Sequence, residues 1–152
     1  MRGGALLDAG PLVAYLYPRD AYHGWAVRQF EEAETPFLTC EAVLTEACFL
    51  TARNGQMPVR VLQMLSSGAV RIGLNLEDET AAIAALMQRY ANVPMSLADA
   101  CLVRMAEITG LPICTLDSDF TIYRAHGRRA LELISPRGSH GFHEAEGEGD
   151  AR

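Results

Sequence analysis

Five carboxylates stand where a folded chain has little structural use for them. Asp8 ends the apolar run "GGALLD" (3–8), Asp117 follows "LPICTL" (111–116), and Asp119 comes two residues later. Asp99 sits in "LADACLVRMAEI", where only Arg104 and Glu107 are otherwise charged. Glu46 sits in "AVLTEACFLTA", whose other polar residues are threonines. Segments this apolar are expected to be buried. Asp8, Glu46, Asp99 and Asp117 should then each be at least partly desolvated, which is costly without a partner.

Local explanations exist for three of them. Ser96-x-x-Asp99 fits a capping box, Asp117 can cap the turn that follows it, and Glu46 can pair with an arginine. Asp8 stands two residues too early to cap a helix beginning at Pro11. One shared cause covers all of them. Carboxylates that converge repel one another and hold protons unless a cation neutralises them. Magnesium and manganese prefer such oxygen donors. Either can make water nucleophilic at neutral pH and offset charge growing on a phosphodiester. No serine–histidine or cysteine–histidine arrangement competes, and His23 and His126 read as surface or packing residues.

The elements that must position these acids follow from periodicity. Strands are predicted at 3–8, 36–40, 69–75, 111–116 and 131–135. Helices are predicted from Pro11 to Pro18 and at 20–33, 41–53, 58–68, 77–91 and 96–110, with "DSDFTIYRAHG" a short helix or turn. Strands alternating with helices predict an α/β sandwich with a mainly parallel sheet. In such sheets ligands bind beyond the carboxyl ends of the strands, where Asp8 and Asp117 fall.

Composition narrows the function further. The 152 residues carry a net charge of −6, and all 13 basic residues are arginine. Without lysine there is no Walker A phosphate loop, and receiver domains also require a lysine. The four cysteines, Cys40, Cys48, Cys101 and Cys114, form no C-x-x-C pair and read as buried, reduced thiols rather than a zinc site. No run is long enough to span a membrane and no signal peptide is evident, so a soluble, cytoplasmic protein is expected. One domain is expected over 1–136. The segment 137–152, with His140 and His143, reads as a disordered acidic tail.

"LLDAGPLVAYL", "LTEACFL", "PMSLADACLVRMAE" and "ICTLDSDF" resemble, in order and spacing, the four acidic motifs of PIN domains over residues 3–135. The resemblance implies a three-layer α/β/α sandwich and a Mg²⁺- or Mn²⁺-dependent endoribonuclease. It also implies, through the small VapC-like group, the toxin of a toxin–antitoxin pair with RNA as substrate and an antitoxin as partner. Carried over by position, the metal-site acids are Asp8, Glu46, Asp99 and Asp117. Asp8, Asp99 and Asp117 hold the metal directly or through water, Glu46 positions water, and Asp119 is the second, more variable acid of the last motif. The sequence departs at Ala9, where many members have threonine or serine; Thr115 is placed to supply a hydroxyl nearby. Arg19, Arg53 and Arg124 are candidate phosphate contacts. Two other readings stay open: a degenerate PIN fold that binds RNA or protein without cleaving it, and a metal-dependent phosphohydrolase for small molecules. Trp25, Phe30, Phe49 and Leu62, on the helices at 20–33 and 41–66, suggest a homodimer or antitoxin surface, unless all four are core.

Overall fold

Short apolar strands with both faces covered need helices on either side, and that is the architecture found in the computed structural model, which describes residues 4–136. The strands β1 (Leu6–Leu7), β2 (Phe37–Thr39), β3 (Val70–Ile72), β4 (Ile113–Cys114) and β7 (Leu133–Ile134) form one sheet in the order β3-β2-β1-β4-β7. Every pairing in it is parallel, with Leu6 opposite Leu38 and Ile113, and Ile113 opposite Leu133. All five strands lie where the sequence predicts them. They are shorter, but ladder bonds continue past their ends: Asp8 N–H to Cys114 C=O at 3.0 Å, and Thr115 N–H to Ile134 C=O at 3.0 Å. Among the described residues six helices flank the sheet: α1 (Ala9–Leu16), α2 (His23–Glu32), α3 (Glu41–Arg53), α4 (Val59–Ser66), α5 (Thr80–Arg89) and α6 (Leu97–Thr109). The fold is a three-layer α/β/α sandwich. The tail at 137–152 lies outside the described residues.

α6 is the central helix. Ala98 to Val103, Met105 and Ala106 are all buried. Its first turn is held by the Ser96 hydroxyl, which accepts from Asp99 N–H at 3.0 Å. It stops at Gly110, whose left-handed φ of 72° lets its N–H reach Ala106 C=O. Arg104 ties its outer edge to Glu79 (2.7 Å) and Glu107 (3.0 Å). Two aromatic clusters complete the core, Tyr15–Phe30–Phe37 and Tyr90–Tyr123–Phe120.

Two expectations need correction, and a third is divided. α1 begins at Ala9, not Pro11, so Asp8 is its N-cap. Proline is tolerated through the first turn because those N–H groups have no intrahelical partner. The segment "DSDFTIYRAHG" does form a short 3₁₀ turn (Ser118–Thr121), but it continues into an unpredicted antiparallel hairpin of β5 (Arg124–Ala125) and β6 (Arg129–Ala130). Finally, Trp25 and Phe30 pack against the core, whereas Phe49 and Leu62 remain exposed beside Met57 and Val59. Three of the four cysteines are buried and all are free; Cys48 is half-buried. Among the described residues no helix is long and apolar enough to cross a membrane.

Candidate metal centre and active site

The sheet order places β1 between β2 and β4, so successive connections leave β1 in opposite directions. A crevice opens at such a reversal, beyond the carboxyl ends of the strands. Asp8 follows β1 and Asp117 follows β4, and both stand at this crevice.

Asp8 is buried and fully engaged. Its Oδ1 accepts from Ala9 N–H at 2.8 Å and its Oδ2 from the Thr115 hydroxyl at 2.7 Å. Gly10 in the same turn packs against Leu116, whose Cβ would lie 3.3 Å from any added Cβ. Thr115 thus brings a hydroxyl to the Asp8 carboxylate, and gives its proton to it. The same oxygen accepts from Asp117 N–H at 2.9 Å, joining the two strand-end acids through one side chain. Asp117 in turn caps the 3₁₀ turn, its Oδ1 accepting from Asp119 N–H at 2.9 Å.

Asp99 enters from the first turn of α6. Its backbone makes the capping bond to Ser96, and its Oδ2 accepts from the Tyr123 hydroxyl at 2.9 Å. The Ser96 bond of the predicted cap is thus formed by the Asp99 backbone, while the Asp99 carboxylate is held by Tyr123. Tyr123 is fully buried, wedged edge-on between Tyr90 and Phe120. Sequence reasoning missed it. The available signal was a tyrosine inside an apolar stretch, since a buried phenol normally finds a hydrogen-bond partner.

One carboxyl oxygen each from Asp99, Asp117 and Asp119 lie within 4.8 Å of one another. Asp119, expected to be the variable member, belongs to this closest group; Asp8 and Glu46 stand outside it. All the same, the acids feel one another. Burial raises the Asp8 carboxyl to about 7, against the hydrogen bonds from Thr115 and Ala9 and with the charges of Asp99 and Glu46. Burial also raises Asp99, opposed by the Tyr123 bond and reinforced by Asp117. Glu46 is raised by the part of its carboxyl that is screened from water, then by Asp99 and Asp117.

Two of the acids differ from expectation in burial. Glu46 and Asp117 are exposed. α3 buries Val43, Leu44, Ala47 and Thr51 and turns Glu46 outward, and among the described residues Glu46 has no arginine partner. Of the candidate phosphate contacts, Arg124 is committed elsewhere: its Nη1 donates to the carbonyls of Thr121, Ile122 and Tyr123 at 2.8–3.2 Å. Arg53 lies 5.8 Å from the centre of the Phe49 ring, and Arg19 is exposed.

The donor set fits a hard divalent cation. It is all carboxylate oxygen, it contains a close trio, and the raised carboxyls register repulsion and burial that positive charge would relieve.

Comparison with known proteins bears on the fold and the family. A family model described as the PIN domain matches residues 5–125. No curated protein matches the chain. Among solved structures, VapC20 from Mycobacterium tuberculosis, described as a sarcin-ricin loop cleaving toxin, has a TM-score of 0.70 at 22% sequence identity. That likeness covers 80% of this chain and 94% of VapC20. The likeness to VapC20 concerns the fold, and the family match spans most of the sequence; the chain belongs to the PIN domain family.

Proposed function

We propose that this chain is a Mg²⁺- or Mn²⁺-dependent endoribonuclease that leaves a 5′-phosphate and a 3′-hydroxyl, acting as the toxin of a toxin–antitoxin pair. The observation that carries this is the trio Asp99, Asp117 and Asp119 within 4.8 Å, beside buried Asp8, at the carboxyl ends of the strands. Asp99, Asp117 and Asp119 would hold the cation, with Asp8 supporting it. A bound cation would supply positive charge to the phosphodiester and activate water for attack. Asp8, raised toward neutrality while no cation is bound, would hold a proton there and release it when a cation arrives. Glu46, exposed and electrostatically linked to Asp99 and Asp117, faces the solvent from which water arrives and would orient it. Tyr123 and Thr115 hold Asp99 and Asp8 in place.

The exposed side chains Phe49, Met57, Val59 and Leu62 suit an antitoxin segment or a second copy of the chain. Among the described residues there is no glycine-rich phosphate loop, which weighs against small phosphate esters as substrates. Structured RNA loops are the first substrates to test, because VapC20 is described as cleaving one. In the deciding experiment, wild type and Asp99→Asn are incubated with RNA and Mn²⁺, and the product ends are mapped. Cleavage with 5′-phosphate ends, lost in the variant, is the expected result. Wild-type protein that binds Mn²⁺ but leaves RNA intact would favour a binding module. Cleavage that persists in chelator would sink the metal-dependent reading.

A further inference from the structure

A site built from five carboxylates repels a polyanion, so an RNA strand needs positive charge close by. Most arginines whose contacts are visible are already used. Arg104 is bound to Glu79 and Glu107, Arg60 to Leu16 C=O and Gln56, and Arg124 to three carbonyls. Arg19, Arg28 and Arg71 make no ion pair among the described residues, but they stand apart, in the turn after α1, on α2 and on β3.

The β5–β6 hairpin is different. Arg128 and Arg129 are exposed at its turn, with no ion pair among the described residues. Arg89, exposed at the end of α5, joins them. A Cβ at Gly127 would lie 2.6 Å from Arg89 Nη1 and 3.2 Å from its Cζ, so this guanidinium rests on the turn's backbone, and glycine makes room for it. The turn is tight: His126 and Gly127 both have left-handed φ, 53° and 74°, and Arg128 N–H closes on Ala125 C=O at 3.1 Å. Its place is set from the site outward. The hairpin starts one residue after Tyr123, whose hydroxyl binds Asp99, and its turn is fastened to α6 by His126 N–H on Glu107 at 2.7 Å. Glu107 lies just over two helical turns from Asp99, about 12 Å along the axis. The opposing charges here are Glu107, already engaged by Arg104 and His126, and Glu132, exposed just after β6.

We propose that this hairpin, with Arg89 laid across its turn, clamps the backbone phosphates of the RNA strand running past the acidic site. The proposal rests on the ribonuclease reading for its ligand. Phosphate contacts of this kind position a strand without reading its sequence.

The test is fluorescence anisotropy of a labelled single-stranded oligoribonucleotide, in chelator so that nothing is cut, across a series of NaCl concentrations. Arg128→Gln/Arg129→Gln should weaken binding and flatten the slope of log affinity against log salt by about 1.4, roughly 0.7 for each lost phosphate contact. Arg28→Gln/Arg71→Gln removes the same charge from other elements and should leave the slope nearly unchanged. Equal effects from both pairs, no effect from the hairpin pair, or a wild-type chain without RNA affinity would each overturn the clamp. Hairpin-dependent binding by a wild type that does not cleave RNA overturns the ribonuclease reading and leaves the clamp standing. Cleavage accompanied by hairpin-independent binding does the reverse.

Discussion

Helices α3 and α6 are each thirteen residues long, touch one another, and carry one acid of the site apiece. They hold those acids in opposite ways. On α6, Asp99 is 8% exposed and locked between its own helix cap and the Tyr123 phenol. On α3, Glu46 faces solvent and has no hydrogen bond or ion pair among the described residues. In the proposed site the difference would separate a preset ligand from an adjustable one. A carboxylate already oriented and desolvated loses little freedom on meeting a cation, but it stores repulsion in the metal-free protein. A solvated one stores little and remains free to follow water or substrate.

That contrast is tested first at Asp99. Asp99→Asn should abolish Mn²⁺-dependent cleavage while leaving the metal-free protein as stable as wild type or more so, because one of the mutually repelling acids is gone. If Asp99 served only as a cap, the variant would stay active and lose on the order of 1 kcal/mol or less; a melting curve and a cleavage assay on one purified variant separate the two.

The stored repulsion should also appear as pH dependence. Asp8 has a folded value near 7 against an ordinary 3.8. A raised carboxyl makes the folded state bind the extra proton, so its contribution is greatest in acid and is lost as pH rises toward 7. Metal-free protein should lose on the order of 2–3 kcal/mol of unfolding free energy from this group between pH 5 and 8. Asp99 and Glu46, both raised, contribute in the same direction. Urea denaturation in chelator measures it, and stability that is flat or rising over that range would break the argument. Saturating Mn²⁺ should remove the decline.

Tyr123→Phe isolates the lock on Asp99 without changing the packing volume. Removing a partner that orients a ligand should weaken Mn²⁺ binding about 10-fold or more, read by the spin-resonance signal of free Mn²⁺. Tyr90→Phe deletes the neighbouring hydroxyl, which accepts from Arg124 N–H rather than touching Asp99. It should leave Mn²⁺ affinity unchanged, and equal losses in both variants would reduce Tyr123 to a packing residue. The smallest effect is expected at Glu46. Glu46→Gln should shift metal-free stability by no more than about 0.5 kcal/mol, as exposed substitutions do, yet slow cleavage. A stability gain matching that of Asp99→Asn would erase the distinction between the two helices.

Much of this arrangement is legible in the sequence because the strands are apolar runs that end in acids. Asp8 and Asp117 could be placed at strand ends from "GGALLD" and "LPICTL" alone, and the sheet order then brings them together. Burial was less legible. "AVLTEACFLTA" is apolar on average, but alanine and threonine tolerate either face, so composition could not say that Glu46 points outward. The β5–β6 hairpin was invisible because two-residue strands carry no periodicity; it forms where Arg124 N–H meets the Tyr90 hydroxyl and His126 N–H meets Glu107, partners far away in the chain. Tyr123 escaped for the same reason, its partner lying 24 residues back.

Thr115 has one proton to give, and it gives it to Asp8; its oxygen then receives the amide proton of Asp117. The chain of bonds therefore has a direction, from the backbone after β4 to the carboxylate after β1, and bonds aligned in this way polarise one another. Any shift of the loop bearing Asp117 changes how strongly Thr115 can serve Asp8. The first and last acidic motifs, more than a hundred residues apart, are thereby made to sense the same displacement before any cation or substrate arrives.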